Sequence, residues 1–78
     1  MVLLCIKDVI NEDTGEKYFL KDNYYTGQVE ENSLFAIDEK NDKHYIAGSK
    51  GGLWHTDDWF SEHFAEDKRK THTLLKKK

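Results

Sequence analysis

Histidines, one cysteine and a knot of carboxylates are the residues of this chain whose types could do chemistry. His44, His55, His63 and His72 offer imidazole nitrogens to a metal, but metal sites take them in pairs at short intervals such as H-x-x-x-H. None of the four falls into such a pair, and they are spread over a predicted strand, a loop, a helix and the tail. The sequence therefore predicts no metal site, and His55 and His63 read as packing or surface residues. Asp57, Asp58 and Glu62 cluster at the start of a predicted helix. An acid/base pair needs a cleft and pKa values driven apart, which a chain this short rarely builds, so helix capping and solvated charge account for them. Cys5 stands within a predicted strand with no base beside it, as an inert, small apolar side chain. The GSKGG stretch at 48–52 could turn backbone amides toward a phosphate, but the full G-x-x-x-x-G-K-[ST] arrangement is missing and a flexible connection is the better reading. No catalytic residue and no cofactor is expected.

Aromatic rings and charge say more. Tyr18, Tyr24, Tyr25, Tyr45, Trp54 and Trp59 exceed what the interior of so small a domain holds, so some must face solvent, and exposed Tyr and Trp are enriched at binding hot spots. Tyr24, Tyr25, Tyr45 and Trp54 are the expected contact residues, with Glu30, Glu31, Asp57 and Asp58 supplying a negative field. The formal charge of -3 conceals a division. Residues 1–67 hold six lysines against all fifteen acids, a net -9, whereas residues 68–78 hold the other six basic groups and no acid. An acidic body steers toward basic partners. Lys68, Arg69 and Lys70 in the basic tail are the candidate phosphate contacts.

At 78 residues the chain has room for one domain. A lone cysteine excludes an internal disulfide, and no apolar run approaches the length of a membrane span, so a cytoplasmic protein is expected. Residues 2–7 read as a strand with either Leu3 and Cys5 or Leu4 and Ile6 turned inward. The stretch from Asp8 to Lys17 reads as a long polar loop, with Gly15 free to take a positive φ. Further strands are expected from Tyr24 to Glu31, where Gly27 signals a bulge or bend, from Leu34 to Asp38, and from Lys43 to Ala47. A helix over 56–67 follows, with Thr56 as N-cap, acids in its first turn and Trp59, Phe60 and Phe64 turned onto the core. Residues 68–78 either extend it or fray. Short strands, hairpin turns and one terminal helix predict a mainly β fold, a small SH3-like barrel of about five strands closed by a C-terminal helix.

The order of these segments resembles small SH3-like proteins of Firmicute phages and prophages. The resemblance is carried by CIKD, YFLKDNYY, FAIDEKNDKHYI and WFSEHF and covers about residues 1–65. Asp22 and Asn23 stand where those proteins carry a glycine after the lysine turn. The resemblance implies a viral origin more than an activity, because proteins of this kind mostly have no assigned function.

The function expected from all this is a non-catalytic protein-binding module whose acidic, aromatic surface docks on a basic host protein, such as a nucleic-acid enzyme or a defence nuclease. Two alternatives are a nucleic-acid-binding accessory protein that uses the basic tail and exposed aromatics, and a self-associating phage structural or assembly component. The expected state is a monomer or weak homodimer, away from membranes.

Overall fold

The computed structural model describes residues 1–48 and 53–70. The connection read at 48–52, apart from Gly48, and the tail beyond Lys70, with His72, lie outside the described residues. A curled antiparallel sheet of five strands is built from β1 (Val2–Cys5), β4 (Tyr24–Glu30), β5 (Ser33–Ile37), β6 (Lys43–Gly48) and β7 (Phe64–Glu66), in the spatial order β6-β5-β4-β1-β7. A two-stranded hairpin of β2 (Val9–Ile10) and β3 (Lys17–Phe19) is inserted between β1 and β4. A 3-10 turn (Trp54–Thr56) and the short helix α1 (Asp58–His63) precede β7.

β1 is the strand on which the sheet turns. It pairs with β4 on one side and β7 on the other, and its two-residue periodicity sends Leu3 and Cys5 into the core, where both are fully buried, and leaves Ile6 exposed. The choice between the two inward pairs is thereby made. β4 changes partners along its length: Tyr24 to Thr26 pair with β1 and Gly27 to Glu30 with β5. Gly27 sits at this change, and a Cβ there would stand 2.8 Å from Met1 Cγ and 3.0 Å from Leu3 Cδ1, so these side chains approach β4 this closely only because position 27 has none. The bulge lies elsewhere. Leu34 is opposite Ala47 and Phe35 opposite Tyr45, which leaves Ile46 as the extra residue and lets Ile46 and Ala47 both be buried.

With no proline in the chain, the turns rest on left-handed residues: Asp22, Glu31 and Asn41 take φ of 74°, 57° and 70°. The stretch read as a plain loop after Asp8 is a hairpin. The Asn11 N–H donates to Glu16 O at 2.8 Å, the Gly15 N–H donates to Asn11 O at 2.7 Å, and Gly15 takes the positive φ expected of it.

The C-terminal region corrects the expectation of a helix over 56–67. Thr56 does not cap it, because its hydroxyl donates to Leu53 O at 2.6 Å within the 3-10 turn. Asp57 is the N-cap, accepting from the Phe60 N–H at 3.0 Å, and the helix ends at His63. Phe64 is extended and opens β7, which pairs Phe64 with Cys5 and Glu66 with Leu3. The physical reason is the outer edge of β1. A helix continued to 67 would leave that edge unpaired, whereas the strand covers it. Trp59 is the second correction: it is 42% exposed rather than core, while Phe60 and Phe64 are buried as expected. Phe64 stacks on Phe60 and meets Phe19 edge to face, with centroids 5.2 Å apart at 82°, and Phe19 meets Tyr25 in the same way.

Candidate protein-docking groove

α1 and the first residue of β7 present two pairs of rings at a spacing of four. Phe60 and Phe64 form the buried one, and Trp59 and His63 the outer one, their rings stacked at 4.2 Å and 22°. His63 is fixed by its Nδ1–H, which donates to Trp59 O at 2.8 Å. Between this outer stripe and the chain running from Lys7 into the β2–β3 hairpin lies a groove of about 400 Å³. Trp59, His63 and Ile10 give it an apolar wall, and Asp8, Glu12 and Glu62 line it with carboxylates.

Two of them, Asp8 and Glu62, are held ionised. Asp8 lies below the usual aspartate range chiefly because its Oδ1 accepts the Lys21 N–H at 2.7 Å, helped by Lys17 at 3.4 Å. Glu62 is lowered chiefly by the Lys7 ammonium, 2.6 Å from Oε2. Glu12 is exposed and makes no ion pair among the described residues. A second groove of about 510 Å³ lies against Ile6, Leu53, Trp54, Phe60 and Ala65. Its lining is mainly apolar and carries one acid, Glu66, and one base, Lys68.

The expected contact residues are not brought together. Tyr24 and Tyr45 are exposed, at 48% and 61%, but on different parts of the sheet. Tyr45 meets Phe35 edge to face at 5.8 Å, and Tyr24 lies under the Lys70 ammonium at 4.6 Å. Tyr25 and Trp54 are core residues and are removed from the contact set, at 8% and 6% exposure. Tyr25 is turned inward by the alternation of β4, and its hydroxyl accepts the Leu20 N–H and donates to Glu39, both at 2.8 Å. Tyr25→Phe is expected to lower stability by about 1–2 kcal/mol, since a part-buried N–H loses its partner. A urea titration checks this, and an unchanged midpoint would contradict the assignment.

Of the residues expected to supply the field, Glu30 pairs with Lys43 and Glu31 occupies the β4–β5 turn. Asp57 is consumed as the helix cap, and Asp58 is exposed in the first turn of α1. Lys68, Arg69 and Lys70 are exposed. The groove residues missed from sequence are Trp59, Ile10, Asp8, Glu12 and Glu62. The available signal was the i, i+4 spacing of Trp59 and His63, distinct from that of Phe60 and Phe64.

Other candidate chemistry is accounted for locally. The Cys5 thiol donates to Lys7 O at 3.0 Å, and burial pushes its pKa up, the opposite of what activates a nucleophile. Asp38 and His44 meet at 2.6 Å, but the other Asp38 oxygen accepts the N–H groups of Lys40 and Asp42, so the pair clamps the β5–β6 turn. Among the described residues no group of three metal-ligating side chains converges, and no helix is long and apolar enough to cross a membrane. No family model, curated protein or solved structure matches the chain.

Proposed function

We propose that this chain is a non-catalytic protein-binding module that docks on a basic surface of a host protein, and that its barrel is SH3-like and of phage or prophage origin. The SH3-like reading is supported by the strand order, in which the first strand lies between the second long strand and the last, with a hairpin inserted after the first and a 3-10 turn before the last. The phage reading rests on the resemblance of residues 1–65. The observation that carries the docking function is the exposed Trp59 in a groove lined by Asp8, Glu12 and Glu62, on a body of net -9. Aromatic anchors give such an interface its affinity, and complementary charge gives it its rate of encounter. Direct nucleic-acid binding would have to work against that same charge, with only six tail cations to offset it.

A pull-down from host lysate at two salt concentrations tests the reading, comparing the full chain with a version ending at Asp67. The expected result is one basic host protein retained at low salt and released at high salt by both versions. Retention that requires the tail and vanishes on nuclease treatment would overturn it in favour of nucleic-acid binding.

A further inference from the structure

We infer that the Trp59 groove captures one arginine side chain of its partner, and that Lys7 occupies the arginine's place in the free protein and is displaced by it. The inference rests on the docking function proposed above and names the chemistry of the contact.

Three features converge on a planar cation. One face of the Trp59 indole is covered by the stacked His63 ring, yet the residue remains 42% exposed, which leaves indole surface open to the groove. An indole is the best aromatic surface for a cation, and guanidinium is the cation that stacks flat on it. Glu62 stands three residues after Trp59, on the same side of α1, as a ready bidentate acceptor. Glu12, across the groove on the hairpin, is a carboxylate without an ion pair among the described residues. The lining carries three carboxylates against the single ammonium of Lys7, so an entering arginine meets a net negative site.

Lys7 gives the site its mechanism. Its ammonium sits 2.6 Å from Glu62, but both side chains are more than half exposed, at 58% and 57%. An exposed pair of this kind is weak, and an ammonium gives Glu62 one point contact where a guanidinium gives two. An arginine that also stacks on Trp59 therefore exchanges for Lys7 without opening any buried structure. Asp8 stays bound to Lys17 and the Lys21 N–H throughout and holds the hairpin side of the groove in place.

The test uses the full chain and the peptide acetyl-(Gly-Arg)3-amide, followed through the two indole N–H resonances. Buried Trp54 serves as the internal reference for Trp59. The expected result is a saturable shift of the Trp59 signal alone, with the equivalent lysine peptide several-fold weaker. Trp59→Ala and Glu62→Gln are expected to weaken the arginine peptide about tenfold, and Lys7→Ala to tighten it about threefold. Equal affinity for the arginine and lysine peptides, or Lys7→Ala weakening the binding, would overturn the exchange. Trp59→Ala lies on an exposed stripe and keeps the fold, which circular dichroism verifies. If that variant loses the peptide but still retains the basic host protein from lysate, the arginine assignment fails and the docking function stands. If wild type retains no basic host protein, the docking function itself fails.

Discussion

Truncating Phe64 to alanine is expected to cost about 3–5 kcal/mol, a large share of what holds the protein folded. A domain of this length has a total stability of only about 4–12 kcal/mol. Phe64 is 1% exposed and sits where three parts of the fold meet. It faces Cys5 of β1 in the sheet, packs against Phe60 of α1, and meets the edge of Phe19 from the β2–β3 hairpin. Its removal opens a cavity beneath the strand that closes the edge of β1, and that strand is three residues long. Phe64→Leu keeps most of the volume and is expected to cost about 1–1.5 kcal/mol. Thermal and urea melts of the two variants separate lost volume from lost ring geometry. An alanine variant with the wild-type midpoint would contradict this account of the core.

The second large effect is expected at Asp38, the one buried charged residue among those described. Burial alone would push its carboxyl up, but the Asp42 N–H, His44 and the Lys40 N–H outweigh this and hold it below the usual aspartate range. Asp38→Ala leaves two turn N–H groups and the His44 ring without their acceptor, and is expected to cost about 2–3 kcal/mol. Because the folded pKa is depressed, the stabilisation is fully present above the unfolded value and is lost as pH falls below about 4 and through the folded value. Asp38→Asn keeps an acceptor for the turn but not the charge. It is expected to show a smaller loss at neutral pH and to remove this residue's share of the acid sensitivity. Urea melts between about pH 7 and pH 3 check both, and an Asn variant as acid-sensitive as wild type would contradict the assignment.

The sequence made the sheet legible wherever alternation and turn chemistry agreed. Gly27 marked the point where β4 changes partners, Gly15 announced the positive φ, and the strands around Phe35 and Tyr45 stand near where their β-rich runs place them. The choice of inward pair in β1 was not legible, because Leu3, Leu4, Cys5 and Ile6 are all apolar and only the register against β4 and β7 decides among them. The helix over 56–67 failed for a related reason. Local pattern favours continuing through Phe64, but the unpaired edge of β1 is a tertiary demand that no local pattern encodes. The error about Trp59 has a separate cause: at about 100° per residue it stands to one side of Phe60 on α1, so the face that buries Phe60 leaves Trp59 on the outer stripe. Tyr25 and Trp54 were misplaced because a count of rings shows that some are exposed but not which. The charge division was legible at once, since it depends on composition alone.

Whether the Trp59 groove is the docking surface is settled by an amide NMR titration of the full chain with acetyl-(Gly-Arg)3-amide and with any basic protein recovered in the proposed pull-down. Shifts are expected to concentrate at Trp59, Glu62, His63, Ile10 and Glu12 and to weaken together as salt rises. Shifts concentrated instead on the Phe35–Tyr45 face or at Lys68 to Lys70, with Trp59 unmoved, would contradict that assignment.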